Sequence, residues 1–90
     1  MDNSLTEICR SVSQLHTDEI ELFFREILSE KEIEDVQLRW ELMKKLKKGE
    51  SQRNIAKDLH ISLCKITRGV KILKQPNGVI NRILSKEQAE

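Results

Sequence analysis

The residues most suited to chemistry are cations that recur along a short segment in the second half of the chain. Lys65, Arg68 and Lys71 follow one another at intervals of three residues, with Cys64 and Thr67 beside them. On a helix this spacing places several cations on one side, with small side chains between them. Cations neutralise phosphates, and small neighbours allow close approach to base edges in the major groove. The segment therefore predicts binding to double-stranded DNA.

Acidic and basic residues are also separated along the chain, and the basic ones are concentrated in the second half. The 90 residues carry a net charge of +1, but residues 1–37 hold three basic groups against ten acidic ones, and residues 38–90 hold thirteen basic groups against five acidic ones. An acidic scaffold with a basic surface has phosphate as its usual target. The alternative is a solvated helix face without a partner.

Catalysis is not indicated by any group of residues. The sequence has no nucleophile beside a base and no phosphate-cradling loop, and neither His16 nor His60 has a ligand at metal-binding spacing. We therefore expect no enzyme, no metal and no cofactor. Cys9 and Cys64 lie 55 positions apart without a CxxC pair, which indicates free thiols in a cytoplasmic protein. Because the sequence has no long apolar run and no signal-peptide pattern, we expect neither membrane insertion nor export.

Two short helices and a tight turn must position the cations. Ser51 is a suitable N-cap for a helix over residues 52–59, and Ser62 is a suitable N-cap for a second helix that runs to about Lys74. His60 stands at the turn, where a glycine with positive φ is usual. This is the layout of a helix-turn-helix over residues 51–74. A plain pair of antiparallel helices remains the alternative.

The second of these helices is predicted to have a buried stripe and a DNA-facing side. The stripe consists of Leu63, Ile66, Val70 and Leu73. The residues predicted to contact DNA, with two from the first helix, are Gln52, Arg53, Leu63, Cys64, Lys65, Thr67, Lys71 and Lys74. Leu63 stands in both sets. Arg53 is long enough to reach a guanine edge, and the lysines suit phosphates. Cys64 is interpreted as a small groove-facing residue, with a redox switch as the alternative.

Helical spacing also dominates the rest of the chain. We expect an all-α fold of about six short helices in a single domain over residues 1–90. Ser29 and Glu32 have the spacing of a capping box at the start of the third helix, and Gly49 is placed to end it. The last helix follows the Pro76-Asn77-Gly78 break and is predicted to bury Val79, Ile80, Ile83 and Leu84.

The third helix is apolar on two nearly opposite faces. One face carries Ile33, Val36, Trp40 and Met43, and the other carries Leu38, Leu42 and Leu46. Both faces must be covered, and a monomer of 90 residues has few helices to do so. The pattern favours a core that two chains share. The alternative is the central helix of a monomeric bundle.

Residues 27–74 resemble the tryptophan repressor family of bacterial transcription regulators. The elements that carry the resemblance are Leu28-Ser29, Leu38-Arg39, the run from Lys48 to Arg53, Ile66-Thr67-Arg68-Gly69 and Leu73-Lys74. The resemblance implies an intertwined, all-helical homodimer that represses transcription from palindromic operators. It also implies control by a corepressor, L-tryptophan or a related indole acid.

The resemblance further implies a ligand site, at Ser29, Arg39, Arg68, Gly69 and Ile72. Arg39 and Arg68 match the two arginines on either side of the indole ring, and guanidinium planes stack on aromatic rings. Ile72 departs from the family, which has a serine there. We expect either weaker recognition of the ligand's amino group or a filled pocket and no effector. The alternative for Arg39 is an ion pair with Asp35, four residues earlier.

Three hypotheses about function follow. The first is a homodimeric repressor that a small aromatic molecule controls, and the second is a helix-turn-helix regulator without an effector. The third is an interaction module whose basic helix binds an acidic protein. Salt dependence separates the third hypothesis from the others, because affinity for DNA falls steeply with salt concentration.

Overall fold

Helices are the only regular structure in the part of the chain that is described. The computed structural model describes the backbone of residues 2–88 and the side chains of residues 3–86. The helices are α1 Asp2–Val12, α2 Thr17–Ile27, α3 Glu30–Lys47, α4 Gln52–Leu59, α5 Leu63–Leu73 and α6 Val79–Gln88. The predicted all-α fold with about six short helices is confirmed.

The chain forms two compact units, residues 1–35 and residues 36–90, and α3 contributes to both. The first unit contains α1, α2 and the first six residues of α3. None of its described residues, 3–35, is buried. Leu5, Leu22 and Ile27 are each more than half exposed, at 67%, 58% and 57%. This unit therefore lacks an apolar interior within the described chain.

Local hydrogen bonds fix both ends of α3 where the sequence places them. The Ser29 N–H donates to Glu32 Oε1 at 2.8 Å, and the Glu32 N–H donates to Ser29 Oγ at 3.1 Å. The predicted capping box is confirmed. Gly49 follows the helix with a φ of 89°, a conformation that glycine adopts without steric penalty. Gly49 is confirmed as the residue that ends α3.

The second unit has a small aliphatic core between α3, α4 and α5. Leu42, Ile55 and Ile66 are buried and touch one another, and both isoleucines are completely inaccessible. The half-buried residues around them are Leu46, Ala56, Leu59, Ile61 and Val70. Each fully buried isoleucine contributes about 1.5–3 kcal/mol relative to an exposed one. This core fixes α4 and α5 against the end of α3.

The two apolar faces of α3 are covered unequally along its length. Near the C-terminal end, Leu42 of one predicted face and Met43 of the other, about 100° apart around the helix, are both buried, with 3% and 6% exposure. Val36, nearer the start, is 52% exposed. The predicted need for cover on both sides is therefore met within the chain at one end of α3 only.

The last helix does not bury all four of its predicted apolar residues. Leu84 is 2% exposed, whereas Val79 and Ile83 are 58% and 42% exposed. The prediction is wrong for these two because the buried side of α6 is centred on Leu84 and includes the polar Asn81. Around the helix, Val79 lies about 140° and Ile83 about 100° from Leu84, so both side chains fall outside the buried side.

Candidate nucleic-acid interface

The helix-turn-helix has the geometry that its capping residues predict. Ser51 Oγ accepts from the Asn54 N–H at 3.1 Å, and Ser62 Oγ accepts from the Lys65 N–H at 3.4 Å. His60, between the helices, has a φ of 54° and a ψ of 45°. It is the residue with positive φ that the turn requires. The predicted helix over residues 52–59 is confirmed, and the second helix ends at Leu73 with Lys74 as its C-cap.

Close packing on α3 fixes the orientation of α5. Ile66 is completely buried, and Gly69 is buried beside it. A Cβ atom added to Gly69 would lie 3.0 Å from Leu46 Cδ1 and 3.1 Å from Leu42 Cδ2. Glycine at this position allows the backbone of α5 to contact the leucines of α3. The opposite side of α5 is thereby presented outward.

The residues predicted to contact DNA are all exposed in the structure. They are Gln52, Arg53, Leu63, Cys64, Lys65, Thr67, Lys71 and Lys74. By helical geometry Cys64, Thr67, Lys71 and Lys74 fall within an arc of about 80° on α5. We call these four residues the outer face. Exposure agrees with a role in DNA binding, which stays a prediction for each residue.

Leu63 does not belong to the buried stripe of α5. It is 62% exposed, so its predicted burial is wrong. This exposure agrees with its other predicted role, contact with DNA, which stays a prediction. The buried side centres on Ile66, Gly69 and Leu73, and Leu63 lies about 60° beyond Ile66 in the first turn. It therefore lies at the rim of the contact with α3.

Thr67 and Cys64, the two small residues of the outer face, differ in whether the side chain makes a hydrogen bond within the protein. The Thr67 hydroxyl donates to the Leu63 carbonyl oxygen at 2.9 Å, one turn earlier. Its oxygen can still accept, but donation to a phosphate requires that bond to break. Cys64 is a free, exposed thiol, as is Cys9, and the prediction of free thiols is confirmed.

Three of the four lysines near the end of α3 form ion pairs or hydrogen bonds with other side chains of the protein. Lys44 pairs with Glu41 at 2.9 Å, and Lys47 Nζ donates to Asn81 Oδ1 at 2.9 Å. Lys45 lies 3.5 Å from both Glu50 and Asp58. Burial lowers the pKa of Lys45, but the two carboxylates outweigh it and raise that pKa above 10.5. The basic surface is therefore carried mainly by α5 rather than by the end of α3.

The residues predicted to bind a ligand lie on several elements. Arg39 on α3 and Arg68 on α5 are exposed, and Ile72 is half-buried. Arg68 adjoins Gly69, which contacts Leu42 of α3. The packing of α3 against α5 accounts for a glycine at position 69 without any ligand. Its contact with an indole ring stays a prediction.

Ser29 and Asp35 belong to the other unit. The Ser29 hydroxyl oxygen accepts the capping hydrogen bond from the Glu32 N–H. Its contact with a ligand stays a prediction. Asp35, the alternative partner of Arg39, accepts from Lys31 Nζ at 2.8 Å.

Sequence reasoning missed one residue of this region. Asn81 is buried, and its side chain makes hydrogen bonds to Lys47, Leu73 and Gln75. A polar residue on the buried side of an amphipathic helix is the signal that could have found it, because buried amides require partners.

Within the described residues no three or more histidine, cysteine, aspartate or glutamate side chains are grouped so that they could hold a metal ion. Among the described helices, none combines the length and the apolarity that crossing a membrane requires.

An all-helical chain with a helix-turn-helix and an exposed basic second helix has the architecture of a DNA-binding protein. Comparison with known families agrees, since the Trp repressor protein family matches residues 3–88. The chain belongs to the Trp repressor family, whose members are DNA-binding transcriptional regulators and not enzymes. No curated protein and no solved structure is similar enough to the chain to count as a match.

Proposed function

We propose that this protein is a repressor that binds a palindromic operator as a homodimer. The observation that carries the proposal is the exposed outer face of α5, held outward by the buried contact of Ile66 and Gly69 with α3. Its cations can neutralise phosphates while Cys64 and Thr67 allow close approach to the bases. Arg53, exposed at the start of α4, is the side chain proposed to read a base edge.

The distribution of exposed apolar residues supports a homodimer. Leu22, Ile27 and Val36 are all more than half exposed, and no described residue of the first unit is buried. Large apolar side chains left in water favour association by the hydrophobic effect. A second copy of the chain is the partner that a palindromic site requires.

Control by L-tryptophan or a related indole acid is the second part of the proposal. It rests on membership of the family and on the exposed guanidinium groups of Arg39 and Arg68, which suit an aromatic ring and a carboxylate. Ile72 brings an apolar side chain where the family's serine is expected. An indole acid without an amino group therefore fits this chain better than tryptophan itself. A regulator without an effector is the competing proposal that Ile72 favours.

DNA binding is tested by selection of duplexes from a random pool, followed by affinity measurements over a range of salt concentrations. The Lys65→Ala/Lys71→Ala variant should bind more weakly and lower the salt slope by about 0.9 per lost phosphate contact. Arg25→Ala is the matched control, because Arg25 is an exposed cation paired with Glu21 in the first unit. No enrichment of any duplex, or affinity that is independent of salt, would contradict the proposal and favour an acidic protein partner.

The effector is tested by calorimetric titration with L-tryptophan and, separately, with indole-3-propionate. Saturable binding of either compound at one site per chain, lost on Arg68→Ala, supports a ligand site. The Ile72→Ser variant should bind L-tryptophan more tightly, because the hydroxyl can accept from the ammonium group. No heat with either compound, in the wild type and in Ile72→Ser, would leave a DNA-binding regulator without an aromatic effector.

A further inference from the structure

The buried polar residue of α6 makes its hydrogen bonds at the end of the helix proposed to bind DNA. Asn81 is 6% exposed. Its Nδ2 donates to the carbonyl oxygens of Leu73 at 2.7 Å and Gln75 at 2.8 Å, and its Oδ1 accepts from Lys47 Nζ at 2.9 Å. All four residues belong to the unit of residues 36–90. One side chain therefore joins α6 to the ends of both α5 and α3.

The two carbonyl oxygens need donors from outside the helix. Leu73 is the last residue of α5, and the last four carbonyl groups of a helix have no partner within it. Gln75 lies in the turn that follows, where its carbonyl oxygen also accepts from the Gly78 N–H at 3.0 Å. Asn81 therefore fixes the end of α5 and the following turn together.

Both cations of the outer face, Lys71 and Lys74, lie at this end of α5. Lys71 lies in the last turn, and Lys74 is the C-cap, whose N–H donates to the Val70 carbonyl oxygen at 3.0 Å. We propose that Asn81 is a positioning residue for DNA binding, which holds the backbone of Lys71 and Lys74 so that both side chains meet phosphates. This inference rests on the proposed function.

Lys47 has a different role in the same arrangement. Its ammonium group is tied to Asn81 and, in our inference, contacts no phosphate. The three hydrogen bonds can therefore be separated by mutation. Asn81→Asp keeps an acceptor for Lys47 but loses both donors, and it places negative charge at the C-terminal end of α5, where the helix dipole opposes it. Lys47→Met removes a cation and its bond to Asn81 but leaves both donors.

The test measures the affinity of these variants for the selected duplex at several salt concentrations, with protein concentrations corrected for the active fraction by stoichiometric titration. Asn81→Asp should bind roughly tenfold more weakly and should lower the salt slope by about one or two phosphate contacts. Lys47→Met should leave the slope unchanged. If Lys47→Met lowers the slope as Lys65→Ala does, Lys47 contacts phosphate and the inference is overturned.

A double-mutant cycle separates positioning from a general loss of stability. In a Lys71→Ala/Lys74→Ala background, Asn81→Asp should cause little further loss of affinity, because the groups that it positions are gone. Fully additive losses would overturn the inference. If circular dichroism shows that Asn81→Asp is unfolded, Asn81→Ser replaces it, since serine lacks the reach for both carbonyl oxygens and adds no charge.

The failure of the inference differs from the failure of the proposed function. A wild-type protein that binds no duplex contradicts the proposed function. A wild-type protein that binds with steep salt dependence, together with a folded Asn81→Asp variant of unchanged affinity and slope, contradicts the positioning role alone.

Discussion

Ile66 and Leu63 lie one turn apart on α5, yet Ile66 is completely buried and Leu63 is 62% exposed. The contact of α5 with Leu42 and Leu46 of α3 makes the difference, because it covers the side that carries Ile66 and Gly69. Two similar aliphatic residues thus have separate roles. Ile66 stabilises the fold, and Leu63 is available for contact with a partner.

The first prediction separates these two roles. Ile66→Ala should lower the free energy of unfolding by about 2–5 kcal/mol, because it leaves a cavity in the core. Leu63→Ala, its matched control, should change stability by no more than about 0.5 kcal/mol. Urea denaturation followed by circular dichroism measures both. A large loss of stability in Leu63→Ala would mean that the residue is covered in solution.

The second prediction concerns how single side chains share DNA recognition. Arg53→Ala should reduce the preference for the selected duplex over a scrambled one, because a base contact discriminates by about 1–3 kcal/mol. Lys65→Ala and Lys71→Ala should weaken binding to both duplexes alike. Competition assays with the two duplexes measure the ratio. The reverse result would mean that the reading and phosphate-binding residues are exchanged.

Residue identities can be predicted from sequence where the interaction is local. Ser29, Ser51 and Ser62 cap helices through bonds to residues three positions on, so their spacing is visible in the sequence. Asn81 contacts Lys47, 34 positions away. No local pattern encodes that pairing, which depends on how three helices pack.

At the level of elements, the backbone conformation of the turn between α4 and α5 has a free-energy cost. His60 has a φ of 54°, in the left-handed region where a side chain crowds the backbone. Burial of Ile55 and Ile66 on either side of the turn outweighs this penalty. The structure therefore keeps the turn expected of a helix-turn-helix without the usual glycine.

The third prediction follows from that geometry. His60→Gly should raise the free energy of unfolding by about 0.5–1 kcal/mol, because relief of the left-handed strain exceeds the entropic penalty of glycine. Lys57→Gly, in the last turn of α4, is the control and should lower stability by up to about 1 kcal/mol. Thermal unfolding of both variants measures the difference. A loss in His60→Gly would show that the imidazole stabilises the turn.

Element boundaries were more predictable than the faces that elements bury. The limits of α4 followed from Ser51 and from the turn, both local features. The buried side of α6 was not predictable, since Leu84 and the polar Asn81 define it and the apolar Val79 and Ile83 do not. Hydrophobic spacing identifies an amphipathic helix but not which of several apolar arcs is covered.

At the scale of the whole molecule, large apolar side chains remain in water within a single chain. Ile27 and Val36 are 57% and 52% exposed, on α2 and α3. The two apolar faces of α3 led us to expect a core that two chains share, and the open start of α3 supports this proposal.

The fourth prediction tests association directly. Val36→Lys should shift the protein toward monomers in sedimentation equilibrium, because a charge in an apolar interface loses hydration without a partner. Glu34→Lys changes an exposed position of the same helix and should leave the distribution unchanged. A wild-type protein that stays monomeric at high micromolar concentrations would contradict the homodimer.

The small buried core has a consequence for how the amount of active protein depends on synthesis. The buried apolar residues of the described chain all lie in the second unit; they are Leu42, Met43, Ile55, Ile66 and Leu84. If association completes the interior of the first unit, mass action links folding to chain concentration. Doubling the number of chains in a dilute cell would then more than double the folded dimers. The amount of active repressor would then rise more than proportionally with the rate of its synthesis.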